Sequence, residues 1–217
     1  MKIVAFVPIK TNNERLPGKN TKAFTDGKPL LCYILETLCR IDQLDDIYVY
    51  CSDDTIKEYL PDKVKFLKRD KYLDLSTTSF NEVLTTFAQK VEADAYLLTH
   101  ATAPFIREES FKKAIEAINT GEFDSVLAVK EMQEFIWRDG APFNYDPKEI
   151  PRTQDLEPVY VETCGMYLYT RDLIVKEKRR VGHRPFLVVV DKIEATDIND
   201  KEDFVLADAL YHMMKNK

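Results

Sequence analysis

The sequence contains no apolar run long enough to cross a bilayer as a helix, which takes about 18–20 residues, so no membrane span is expected. "MKIVAFVPIK" opens with charge and a short apolar run. Polar residues follow at once, so it does not read as a signal peptide. Histidine is scarce: His100, His183 and His212 are too scattered along 217 residues to form a metal cluster. The four cysteines, Cys32, Cys39, Cys51 and Cys164, lack the C-x-x-C spacing of a zinc site. They read as small buried hydrophobes in a reducing, cytoplasmic setting. Net positive charge is absent too. The formal charge is −6 and the pI about 5.3, which argues against a general nucleic-acid binder, because phosphate affinity needs a basic face. No internal repeat or low-complexity tract is present. With 45% hydrophobic and 31% charged residues, the chain has the composition of an ordinary globular protein, read as a single domain over residues 1–217.

The apolar segments are regularly ordered. "IVAFVPI" (3–9) is a continuous apolar strand of the kind buried on both faces. Residues 29–41 carry helical spacing, with Pro29 at the first turn. Strands are expected at 47–52, 64–68, 95–100 and 125–130. A short helix opened by Asp53 and Asp54 stops before Pro61, and helices are expected at 79–91 and 107–121. Ser79 and Glu82 stand at capping-box positions, and Gly121 fits a C-terminal cap. Strand and helix alternate five times in 130 residues, which argues for an open parallel α/β sheet with right-handed crossovers. In such sheets ligands bind beyond the carboxyl ends of the strands. The pattern breaks after residue 130. Four prolines, Pro142, Pro147, Pro151 and Pro158, fall in an aromatic, irregular stretch that reads as an inserted arm over 131–165. Strand character returns at 164–170 and 185–190, and an amphipathic helix is expected over 200–215.

The loop after the first strand, "KTNNERLPGKNTKAF", puts Lys10, Arg15, Lys19 and Lys22 close together at such a carboxyl end. Charge alone leaves two readings: a solvated lysine-rich turn, or a cradle for a polyanion such as a triphosphate. Neither G-x-x-x-x-G-K-[ST] nor G-x-G-x-x-G occurs, so a P-loop and a dinucleotide-binding turn are unsupported.

"VPIKTNNERLPGKNTKAFTDGKPLLCYIL" resembles the first motif of the acylneuraminate and 3-deoxy-manno-octulosonate cytidylyltransferases, which activate sugar acids. Pro8, Leu16-Pro17-Gly18-Lys19-Asn20 and Gly27-Lys28-Pro29-Leu30 match that pattern, and the family arginine falls on Lys10. "RDKYLDLSTTSFNEVL" is similar to a second motif through Arg69, Thr78 and Ser79. "LLTHATAPFI" is similar to L-L-Q-P-T-S-P-L-R, with His100 in place of the glutamine and Ile106 in place of the arginine. "IPRTQDLEPVYVETCGMYLY" is similar to R-x-Q-D-L-x-P-x-Y-x-E-N-G-A-x-Y, with Thr163-Cys164 in place of the asparagine. "TDINDKED" is similar to an acidic motif near the C-terminus, with Asn199 at its second acidic position.

This resemblance implies a three-layer α/β/α nucleotidyltransferase fold, with a mostly parallel Rossmann-like sheet and the arm serving dimerisation. It implies transfer of CMP from CTP to a 3-deoxy-2-keto sugar acid, with release of pyrophosphate, in surface polysaccharide biosynthesis. Implied catalytic residues are Lys19, Lys10, Arg15 and Asp197. Implied nucleotide contacts are Pro8, Ile9, Lys10, Asn20, Arg69, Ser79 and His100. Arg152, Gln154, Tyr160 and Glu162 would meet the acceptor. Mg²⁺ would be the cofactor, held by Asp197 and Asn199. Implied partners are CTP, a small acceptor and a second copy of the chain, with no nucleic acid and no membrane. For Ser79 a plain helix cap, and for His100 a neutral structural imidazole, are the competing readings. Three other functions compete: a cytidylyltransferase acting on a phosphorylated small molecule, an enzyme using UTP or GTP on a sugar phosphate, and a non-catalytic nucleotide-binding homologue. The G-x-G-T-R-L start of the UTP and GTP enzymes is absent.

Overall fold

In a computed structural model that describes residues 1–215, the first strand, β1 (Ile3–Ile9), lies inside the sheet, paired in parallel with β2 (Asp46–Cys51) and β4 (Ala95–Thr99). Ile3, Ala5, Val7 and Ile9 point to one core, and Val4 and Phe6 to the other. This period of two with both faces covered is why the segment reads as an unbroken apolar run. One face is covered by α1 (Leu30–Cys39) and α3 (Glu108–Asn119), which supply Leu31, Ile34 and Leu38, and Phe111, Ile115 and Ile118. The other face is covered by α2 (Phe80–Lys90) and α4 (Arg171–Glu177), where Phe6 stacks on Phe87 with ring centroids 4.0 Å apart. Burying each such side chain stabilises the fold by about 1.5–3 kcal/mol.

The sheet has seven strands in the order β3-β2-β1-β4-β8-β5-β9, where β3 is Val64–Lys68, β5 Ser125–Met132, β8 Val159–Thr170 and β9 Pro185–Val190. The sheet is mostly parallel, as the resemblance implies. β8 runs antiparallel between β4 and β5, while every other pairing in this sheet is parallel. The new strand also starts earlier than its apolar segment, at Val159, so residues 159–165, counted with the arm from sequence, belong to the sheet. The pairing of β8 with β5 carries a bulge near Leu127–Val129, and Cys164 adopts φ 57 there. Between the flanking pairs Leu127–Tyr167 and Val129–Glu162, β8 has three more residues than β5, and Thr163-Cys164, which stands for one residue of the resembled pattern, falls within that stretch. Cys164 is exposed rather than buried, while Cys51 is buried and Cys32 and Cys39 pack against the core.

The arm proper contains a small hairpin, β6 (Trp137–Arg138) and β7 (Ala141–Pro142). Its turn is Asp139-Gly140, both at positive φ (53° and 79°), the conformation that two-residue hairpins favour. Gln133 ties the arm down by donating to the carbonyl of Leu156 at 2.8 Å. A third core sits at one end of the sheet. Leu16, Phe24 and Leu30 from the start of the chain pack there on Phe105, Ile198 and Phe204, the last from α5 (Lys201–Lys215). This cluster brings the cationic loop and the acidic C-terminal motif together.

Candidate functional site

β1 delivers the chain to Lys10 at the carboxyl end of the sheet, and the loop is then fastened by its own polar groups. Asn20 Nδ2 donates to the Lys10 carbonyl at 3.0 Å and to Asn13 Oδ1 at 3.4 Å. Gly18 takes φ 66 ahead of a short 3₁₀ turn, Lys19–Thr21, a conformation that glycine adopts without strain. The turn buries Lys19, whose Nζ donates to the Ile198 carbonyl at 2.8 Å. The Ile198 amide donates to the Thr102 carbonyl at 2.9 Å. Three segments distant in sequence are thereby locked at one point: the loop after β1, the loop after β4 and the approach to α5.

A cleft of about 350 Å³ opens here, bordered by Pro8, Lys10, Asn13, Lys19 and Asn20 on one side. Arg69, Asp74, Ser76, Thr78, Phe80, His100 and Thr102 are among the residues that border it on the other. Lys10, Asn13 and Lys19 also border an adjoining cleft of about 250 Å³ that includes Arg15 and Asn199. Of the seven residues expected to hold a nucleotide, Pro8, Lys10, Asn20, Arg69 and His100 meet in the first cleft. Ile9 and Ser79 do not border it. Ile9 lies in the core, and Ser79 caps α2, its Oγ accepting from the Glu82 amide at 3.2 Å. Three of the loop's four cations converge on the paired clefts. The fourth, Lys22, stands outside, over the Phe204 ring at 5.3 Å.

Charge inside the site is tightly arranged. Burial pushes the Lys19 ammonium below the usual lysine value, and Asp197 pulls it partly back. Burial likewise pushes His100 down from 6.5 to about 4, with the Arg180 charge acting in the same direction, so the ring is neutral near pH 7. His100 also packs on Phe80, ring centroids 5.5 Å apart. Arg69 is buried and paired with Asp74, which also accepts from the Ser52 hydroxyl. Arg69 Nε and the Tyr50 hydroxyl are buried with no hydrogen-bond partner among the described residues. Arg15 reaches across to donate to Asn199 Oδ1 at 2.9 Å, and Asn199 Nδ2 donates to Asp197 Oδ2 at 2.9 Å.

This donor set bears on a divalent cation. No group of three His, Cys, Asp or Glu side chains that could hold one occurs among the described residues. Asp197 offers a carboxylate beside Lys19, whereas the Asn199 amide oxygen is already engaged by Arg15. One carboxylate suits Mg²⁺, which completes its shell with phosphate oxygens and water rather than with a protein cage.

The residues expected to face an acceptor lie elsewhere. Arg152 and Gln154 are on the exposed arm, and the Arg152 guanidinium is held by Asp155 at 2.7 and 3.0 Å. Tyr160 and Glu162 lie on the outer half of β8, where Glu162 accepts from the Tyr167 hydroxyl at 2.5 Å. None of the four borders the 350 Å³ cleft. Sequence reading missed Asn13, Asp74, Phe80 and Thr102 as cleft residues, and also Arg180, stacked on Tyr167 nearby. Only the polar character of "RDKYLDLSTTSF" points to the second of these, and Arg180 sits in a basic run that no motif marks.

A family model described as Cytidylyltransferase matches residues 4–206. The N-acylneuraminate cytidylyltransferase of Streptococcus agalactiae serotype V is 21% identical over 94% of this chain and 52% of its own length. The CMP-N,N'-diacetyllegionaminic acid synthase of Legionella pneumophila is 25% identical over 98% of this chain and 97% of its own length. The chain thus spans about half the length of the first of these relatives and nearly all of the second. Among solved structures, CMP:2-keto-3-deoxy-manno-octonic acid synthetase complexed with CTP superposes with a TM-score of 0.71 at 16% identity, covering 99% of this chain and 100% of the other. The 4-diphosphocytidyl-2C-methyl-D-erythritol synthase of Anaerococcus prevotii gives 0.70 at 15% identity, covering 97% of this chain and 96% of the other. These likenesses match the observed fold, a mostly parallel sheet between helical layers. With the family match spanning nearly all the chain, the protein belongs to the cytidylyltransferase family.

Proposed function

We propose that the protein transfers CMP from CTP to a hydroxyl of a sugar acid of the 3-deoxy-2-keto type, releasing pyrophosphate. The observation that carries this reading is the meeting of Lys10, Lys19, Asn20, Arg69 and His100 in one cleft at the carboxyl end of the sheet. The family match and the names of the relatives support it. The cytosine would lie beside Pro8 and neutral His100, and the triphosphate would run along Lys10, Lys19 and Arg15. An acceptor hydroxyl oxygen then bonds to the α-phosphorus as the bond to pyrophosphate breaks, and the hydroxyl proton is released to solvent. Such a displacement depends on alignment and charge compensation more than on covalent help from the protein. Lys19 is suited to that task because the Ile198 carbonyl fixes its ammonium, so little reorganisation is needed as charge develops. Asp197 would hold Mg²⁺, which when bound neutralises phosphate charge. Asn199 serves as the bridge that keeps Arg15 and Asp197 in place. The exposed aromatic residues of the arm, Phe135, Trp137 and Phe143, support a homodimer in which Arg152, Gln154 and Tyr160 would reach an acceptor. A cytoplasmic role in making CMP-sugars for surface polysaccharide is the setting this reaction fits.

The test is thermal melting with Mg²⁺ and a panel of nucleotides. CTP at a hundredfold excess over its Kd should stabilise the protein by about 2.7 kcal/mol. That is a rise of several degrees, which UTP, GTP and ATP at equal concentration should not match. Equal shifts for all four, or none for CTP, would sink the reading.

A further inference from the structure

The connection between α4 and β9 is built more firmly than its sequence, "KEKRRVGHR", suggests. Lys178 closes α4 at φ 53. Arg179 folds back on the loop, its Nε donating to the Val181 carbonyl at 2.5 Å and its Nη2 to the Gly182 carbonyl at 3.4 Å. The Gly182 amide donates to Ser125 Oγ at 2.8 Å, and the amides of His183 and Arg184 converge on the Asp124 carboxylate at 2.8–3.2 Å. A Cβ on Gly182 would stand 2.1 Å from Asp124 Oδ1, so this approach requires glycine.

The clamped loop presents Arg180. Its guanidinium carbon sits 3.7 Å from the Tyr167 ring centroid and 5.5 Å from that of Phe80, a wall residue of the cleft. The side chain is only 24% exposed, yet it makes no hydrogen bond among the described residues. Its nearest carboxylate, Glu162, stands 3.9 Å away, beyond hydrogen-bonding reach and already engaged by the Tyr167 hydroxyl. Two adjacent arginines therefore have opposite uses: Arg179 spends its donors on the loop, while Arg180 keeps five unspent on an aromatic ledge. A partly desolvated guanidinium with free donors is matched to a planar or tetrahedral anion, which it binds in bidentate fashion.

The geometry points to Arg180 as the residue that takes the anionic group of the acceptor, a carboxylate or a phosphate, at the Phe80–His100 rim of the cleft. This rests on the reading that the cleft holds CTP. It moves anion recognition from Arg152, whose guanidinium pairs with Asp155, to a loop that no sequence motif marks.

Calorimetry on protein saturated with Mg²⁺ and α,β-methylene-CTP, which occupies the nucleotide site but cannot release pyrophosphate, tests the assignment. The titrants are 3-deoxy-manno-octulosonate and N-acetylneuraminate as carboxylates, and glycerol 3-phosphate as a phosphate. At least one class should bind, and its affinity should fall at least tenfold in R180Q and less in R180K, while CTP affinity stays within twofold of the parent in both variants. The class that binds identifies the acceptor's anion. Acceptor affinity within twofold of the parent in folded R180Q, or no Arg180-dependent binding of either class, overturns the proposal. Failure of the parent to bind CTP overturns the underlying reading instead, and the two results are distinct.

Discussion

Replacing His100 by glutamine should change how the protein tolerates acid. Burial holds the imidazole at about 4 in the folded state, against 6.5 when exposed. Above pH 6.5 the ring is neutral in both states and contributes nothing to the pH dependence. As pH falls through 6.5, the unfolded chain takes up a proton that the folded protein refuses until about pH 4. The unfolded state then binds more protons, so stability declines across that window. At pH 4.5 the loss amounts to about 2.5 kcal/mol, from 1.36 kcal/mol for each pKa unit of difference. Glutamine cannot titrate, retains an amide for hydrogen bonding and occupies a similar volume, so H100Q should lose only the part due to other groups. At about 2–4 °C for each kcal/mol in a chain of this size, the melting temperature of H100Q should gain about 5–10 °C on the parent between pH 7 and pH 4.5. The assay is thermal denaturation by circular dichroism at several pH values in one buffer series. Parallel curves for the two proteins would refute the argument, because they would mean that the imidazole takes up its proton equally well in both states.

Truncating Lys19 to alanine should lower nucleotidyl transfer by at least about a hundredfold, in line with the loss of one preorganised charge-stabilising donor. The circular dichroism spectrum should stay that of the parent, and near-parental turnover in pyrophosphate release would contradict its role. Asp74→Asn should destabilise the protein by about 3 kcal/mol, because it leaves the Arg69 guanidinium buried without its counter-charge. Urea unfolding reads this as a lower midpoint, and a midpoint equal to the parent's would mean that Arg69 is better solvated than its burial indicates.

The strands were legible because burial on both faces writes itself as uninterrupted apolar residues, as in β1 and β4. The Ser79 cap and the stop at Gly121 were legible because caps are local chemistry. The position of β8 was not: periodicity says that a segment is a strand and nothing about its neighbours, and the irregular arm hid where it begins. The hairpin's Asp139-Gly140 turn carries a local signal of its own, set in an arm whose prolines break the surrounding periodicity. For the site, the matching motifs named residues that meet in one cleft, Lys10, Lys19, Asn20, Arg69 and His100. What brings Lys19 to Asp197 is the packing of Leu16 on Ile198 from opposite ends of the chain, a contact that no local pattern announces. Arg180 was hidden for the opposite reason. Within a run of basic residues, nothing distinguishes a guanidinium stacked on Tyr167 from one in solvent.

The wedge position of β8 also has a bearing on synthesis. A ribosome releases β1 to β4 well before Val159–Thr170, so the nascent four-stranded sheet ends in an unsatisfied flank at Ala95–Thr99, every residue of which is buried in the finished molecule. Until the later segment slots in, that flank is a sticky template for any other extended peptide, and β5 has no partner joining it to the rest. Fragments ending between β5 and β8 should therefore precipitate or recruit chaperones, because the strand that joins the two parts of the sheet is made after both of its neighbours.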